Sequence, residues 1–160
     1  MPETRPDTLS GVEQVVAFAD PAHCTPAPAL VSLLGRAAPL DALGRPVKSH
    51  AGLAPQIDGA EVGTPVIGSE GSTHTLDLPL AAPWHGLHLV GISQVWTEQS
   101  DHAELSLRFA EPAAQTIAAL NRQGFDLAPD GRRTQEGEVM ATYLAVTPDG
   151  SGARLTCSAG

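Results

Sequence analysis

The chain has 160 residues, of which 42% are hydrophobic, 17% charged and 4% aromatic, a size and composition that suit one soluble domain better than two. Eighteen Asp and Glu against nine Lys and Arg give a formal charge of −9, so nucleic acid and other polyanions are disfavoured and a basic protein is the better electrostatic partner. No apolar run approaches a membrane span and no low-complexity tract dominates, so membrane insertion is not expected.

Residues 1–9 are polar and proline-containing and read as a disordered segment, leaving a single domain over 10–160. Ser10 and Glu13 have capping-box spacing, yet Val15-Val16-Ala17-Phe18 is equally strand-like, and the segment leans to strand. After Cys24, Thr25 can cap a helix, roughly 27–37, whose first turn tolerates Pro26 and Pro28 and whose Leu30, Leu33, Leu34 and Ala37 share a face. Residues 39–71 are punctuated by Gly and Pro and read as one long loop, with room for a short strand at 62–67. Its glycines lack the Gly-Lys-Ser/Thr of a phosphate cradle.

The second half is more regular. His74, Leu76, Leu78 and Leu80 alternate with polar or proline positions, Leu87 to Trp96 is apolar on both parities, and residues 102–110 alternate again, which predicts a three-stranded antiparallel meander. Pro112 opens a helix carrying Ala113, Ile117 and Leu120 on one face, with Gly124 placed to end it in a left-handed turn and Phe125 placed to pack back on Leu120. Strands follow at 138–147 and 152–158, joined by Pro148-Asp149-Gly150. The expected fold is α+β: an antiparallel sheet of about five strands, ordered βββαββ after an N-terminal helix, with helices packed on one face.

Cys24 and Cys157 match no zinc or redox spacing, and the expected arrangement is a disulfide joining the two ends of the chain. A bridge closing so long a loop stabilises by about 4–5 kcal/mol at most in the chain-entropy model. It favours a periplasmic or secreted location. Residues 1–20 carry Glu3, Asp7, Glu13 and Asp20 and lack an export signal, a start that suits both a mature exported chain and a cytosolic one.

Residues 49–107 hold seven carboxylates, five histidines and no Lys or Arg, and so carry −7 of the −9 charge. This interval reads either as a solvated acidic face or as a docking surface for a basic partner, with histidines that would make binding depend on pH. His85 and His88 point to opposite faces of a strand and do not suit a shared metal, so neither a metal nor another cofactor is expected. Ser100, Asp101 and His102 are triad residue types, but three neighbours in a hairpin tip cannot form a nucleophile–base–orienter chain. Trp84, in a turn with His85, and Trp96, beside a tip holding Glu98, Gln99, Asp101 and the nearby Glu104, are the candidate binding residues. Together these features favour a non-enzymatic, exported protein-binding domain: a periplasmic immunity or inhibitor protein that neutralises a basic toxin or cell-wall hydrolase through acidic loops. Two other roles fit the same features, a small-molecule or metal-binding periplasmic accessory domain and a structural component of an envelope complex.

Overall fold

Alternation of buried and solvent-facing side chains runs through nearly the whole second half of the chain, and it builds a sheet larger than the sequence suggests. The computed structural model describes residues 8–9, 11–47, 55–100, 103–136 and 141–159. In chain order the elements are β1 (Thr8–Leu9), α1 (Val12–Val15), β2 (Phe18–Asp20), a 3₁₀ turn (Pro21–His23), β3 (Thr25–Pro26), α2 (Pro28–Ala37), β4 (Gln56–Ile57), β5 (Glu61–Val62), β6 (Val66–Glu70), β7 (Thr73–Trp84), β8 (Leu87–Thr97), β9 (Ala103–Phe109), α3 (Ala113–Arg122), β10 (Arg132–Glu136), β11 (Ala141–Asp149) and β12 (Gly152–Ala159).

The expected five-stranded α+β fold is corrected here: the described residues form mainly antiparallel β-structure around one eight-stranded sheet. Its order is β10-β11-β12-β9-β8-β7-β5, with β6 pairing the same outer edge of β7 as β5 does. The strands missing from the sequence reading are the edges. In place of the one short strand allowed at 62–67 within the expected loop, two form, β5 and β6, overlapping its two ends, and β10 precedes the expected strand at 138–147. An edge strand is covered by one neighbour only, so it is short, tolerates Gly and charge, and shows little apolar alternation. Gly63, Pro65 and Gly68 flank or interrupt the first pair, and Arg132-Arg133-Thr134-Gln135-Glu136 contains no apolar residue.

Two three-stranded meanders, β7–β9 and β10–β12, make up most of the sheet, and each has a helix upstream, α2 and α3. They join through the antiparallel pair β9–β12, so each meander runs inwards from its first strand to its third, and β5 and β6 extend one end. The hairpin turn from β7 to β8 uses His85 (φ 48°) and Gly86 (φ 83°), the two successive positive φ values that a two-residue turn of this hand needs.

Register separates two faces. Leu76, Leu78, Leu80, Ile92, Leu107, Leu155, Leu144 and Val146 lie on one and are all buried. Asp77, Ser93, Arg108, Ser106 and Thr156 lie on the other, where Arg108 Nη2 donates to Asp77 Oδ1 at 2.7 Å. The apolar face carries the helices: α1 contacts β7, and α3 contacts β11 and β12. One apolar and one polar face is the usual arrangement for an antiparallel sheet covered on one side. No helix among the described residues is long and apolar enough to cross a membrane.

Locally, several expectations meet different outcomes. The segment leaning to strand forms α1 first, with Gly11 as its N-cap, and only then β2; Ser10 lies outside the described residues. The helix expected at 27–37 is α2, but Thr25 pairs in β3 and the N-cap is Ala27, with Pro28 opening the first turn. The ending of α3 follows the sequence: Gly124 has φ 101°, Phe125 N–H donates to Leu120 O at 3.3 Å and Gly124 N–H to Asn121 O at 3.1 Å. Thr8–Leu9 pairs in parallel with Gln56–Ile57, while residues 1–7 of the segment expected to be disordered lie outside the described residues.

Candidate functional site

Helix α2 has two apolar stripes, and they do different things. Leu30, Leu33 and Ala37 are fully buried in the core, whereas Val31, Leu34, Gly35 and Ala38 line an open groove. Spacing of three and four residues places each set on one side of the helix. Val31 is 56% exposed, an apolar side chain on the groove wall with solvent beside it.

The groove encloses about 610 Å³ between α2 and the apolar face of the sheet. Gln94 and Trp96 of β8, Ala103 and Leu105 of β9, Thr142 of β11 and Cys157 of β12 form the sheet side, and His23 to Pro26 with Leu40 close the ends. A volume of this size falls within the range of small-molecule sites, about 300–1,000 Å³. The Cys24–Cys157 disulfide is part of the wall. Cys24 sits in a left-handed conformation (φ 54°) at the end of the 3₁₀ turn, so the bridge holds the β2–β3 hairpin and the start of α2 against β12.

The two tryptophans stand at opposite ends of the β7–β8 hairpin. Trp84 is 2% exposed and donates its indole N–H to Val16 O at 2.7 Å, with its ring against Phe109. Trp96 is half-buried on the groove wall and donates to Gly44 O at 2.9 Å. Each therefore fixes a stretch of the N-terminal half to the sheet. The loop that Trp96 holds is itself ordered by Asp41, whose Oδ1 accepts from Leu43 N–H at 2.8 Å and Arg45 N–H at 3.0 Å. Those backbone donors hold the Asp41 carboxyl below its usual range.

The remaining candidate residues are divided among these places. His85 lies in the turn next to Trp84, with Nδ1 3.7 Å from Glu13. Glu98 stands at the other end of β8, roughly 30 Å away at about 3.3 Å per residue. There it accepts from His74 Nε2 at 2.6 Å. Gln99 is exposed at the tip with φ 59°, and Asp101 lies outside the described residues. Glu104 borders the groove, but register puts its side chain on the polar face, where it accepts from Ser158 Oγ at 3.1 Å.

Residues 49–107 therefore do not fold into one acidic patch. Asp58, Glu61 and Glu70 are exposed near the β5–β6 edge, while Asp77 is neutralised by Arg108. Three of the five histidines pair with carboxylates: His74 with Glu98, His85 with Glu13 and His88 with Glu111. His50 and His102 lie outside the described residues. Glu111 is pushed up by burial, but donation from the His88 backbone N–H and ring outweighs this and leaves its carboxyl below the ordinary value.

Sequence reasoning missed two features. Ser69, His74 and Glu98 form a hydrogen-bonded chain, Ser69 Oγ to His74 Nδ1 at 2.7 Å and His74 Nε2 to Glu98 at 2.6 Å. It satisfies both nitrogens of a ring that is only 5% exposed and leans on Trp96. Three strands bring these residues together, and only the pairing of β6 with β7 reveals it. The groove stripe of α2 was legible in part, since Val31 and Leu34 are apolar off the centre of the core face.

No family model matches the chain, and neither a curated protein sequence nor a solved structure matches it.

Proposed function

We propose that this chain is a non-enzymatic binding domain of an oxidising compartment, periplasmic or secreted, and that it holds an apolar small molecule in the groove between α2 and the sheet. The convergence of apolar side chains from one helix and three strands on a single 610 Å³ space carries this reading. An unpartnered apolar stripe on a helix costs free energy in water, and an apolar ligand recovers it. The disulfide supports the compartment, because such bridges persist where thiols are oxidised. An inhibitor docking a basic protein through acidic loops has less support, since its residues lie at two ends of β8 and several carboxylates already have partners.

Binding of N-phenyl-1-naphthylamine, an uncharged dye that brightens in apolar surroundings, tests the proposal. Saturable one-to-one binding is expected, and Val31→Asp should weaken it by about tenfold or more, because the new carboxylate would have to be desolvated against the ligand. Val31 is exposed, so the substitution should leave the melting temperature nearly unchanged. Absence of saturable binding, or equal binding by the variant, would overturn the reading.

A further inference from the structure

We infer that the groove selects uncharged amphiphiles: molecules with an apolar body and one neutral hydrogen-bonding group, such as a long-chain alcohol. The inference rests on the groove being the binding site, and it is carried by the polar groups found there.

Gln94 occupies a position on the apolar face of β8, opposite Leu76 on one neighbour and Leu105 on the other. The surrounding positions on that face are Ile92 and Trp96, so a carboxamide interrupts an apolar row on the groove's floor. Its amide opens to the groove, where water or the polar group of a ligand can hydrogen-bond it. Among the described residues nothing hydrogen-bonds the Gln94 side chain. It offers one acceptor oxygen and two N–H donors, a set that suits a hydroxyl. Thr142, on the same face of β11, is a second uncharged polar group in the lining.

Charge is missing from the same surface. No Lys or Arg lines the groove among the described residues. The two ionisable side chains that border it are engaged: His23 Nδ1 with Asp20 at 2.7 Å, and Glu104 with Ser158 across the polar face. A carboxylate or phosphate drawn to the floor would lose water without gaining a counter-charge, in a chain whose net charge is −9. An ammonium beside Gln94 would be desolvated with the Glu104 carboxylate on the opposite face of the sheet. A neutral hydroxyl loses less and gains Gln94.

The test is competition against bound N-phenyl-1-naphthylamine at pH 7 by dodecanol, dodecanoate and dodecylammonium, which share one chain and differ in head group. Each is used below its aggregation concentration. Dodecanol is expected to displace the dye with at least about tenfold higher affinity than either ion, and Gln94→Leu is expected to cut that preference to about threefold or less, each affinity being corrected for the variant's own affinity for the dye. Equal affinity of an ion and the alcohol would overturn the class of ligand yet leave the groove as the site. An unchanged preference in Gln94→Leu would overturn the role of Gln94. Failure of the dye itself to bind would count against the groove, not against the head-group argument alone.

Discussion

A methyl group added at Gly152 would strike the Phe109 carbonyl oxygen across the β9–β12 pair, whereas one added at Gly91 would meet the guanidinium of Arg108. The obstacle in the first case is backbone and in the second the end of a flexible side chain. Gly152→Ala should therefore destabilise by about 2–3 kcal/mol in urea titration, and Gly91→Ala by about 1 kcal/mol or less, the cost of moving Arg108 off Asp77. Glu111 belongs to the same scale. Its carboxyl is held below its ordinary value in the folded chain, so its stabilising contribution is complete above the ordinary carboxylate range and is lost as pH falls through the lowered value. Glu111→Gln should flatten the fall in stability between about pH 5 and pH 3, which thermal melts across that range would show. None of these side-chain partners was legible in the sequence. Glu111 and His88 lie twenty-three positions apart and meet only because β8 and β9 pair.

The elements were legible where one residue pattern answers to one local force. Leu120, Gly124 and Phe125 specify the end of α3 because the left-handed turn and the apolar contact are both built from neighbours in sequence. The β7–β9 meander was legible because its strands are long and covered on both edges. β10 was not, and β5 and β6 only as a single short strand at 62–67, since their pairing comes from the strand beside them and not from their own apolar content. Helix α2 shows a similar split. Its core stripe follows the expected periodicity, while the stripe on the groove is defined by what lies across from it. Leu33→Ala should cost about 2–5 kcal/mol, as for other fully buried leucines, because it opens a cavity against the sheet. Val31→Ser should change stability by less than about 0.5 kcal/mol and still weaken dye binding. Urea titration together with dye binding on both variants separates the two stripes.

Across the whole molecule, the Cys24–Cys157 bridge joins positions 133 apart and holds the N-terminal hairpin to β12, an interior strand of the sheet. The pairing was legible because two cysteines allow one intramolecular bridge; that the bridge also forms a groove wall was not, because it depends on α2 standing off β9 and β12. The paired variant Cys24→Ser with Cys157→Ser should lose up to about 4–5 kcal/mol in equilibrium unfolding. The concentration of charge in residues 49–107 was legible as composition, and the fold disperses it: part faces solvent at one sheet edge, Asp77 is matched by Arg108, and Glu98 is hydrogen-bonded to His74. At the groove, α2 and four successive strands in the sheet order, β8, β9, β12 and β11, converge on a common lining. Nuclear magnetic resonance of nitrogen-labelled protein titrated with dodecanol tests that convergence most directly. Saturable shifts are expected at Val31, Gly35, Leu105 and the indole N–H of Trp96, with the turn at His85 and Gly86 unmoved. Shifts centred on that turn or on the Glu98–Gln99 tip, or none at all, would contradict the groove as the binding site.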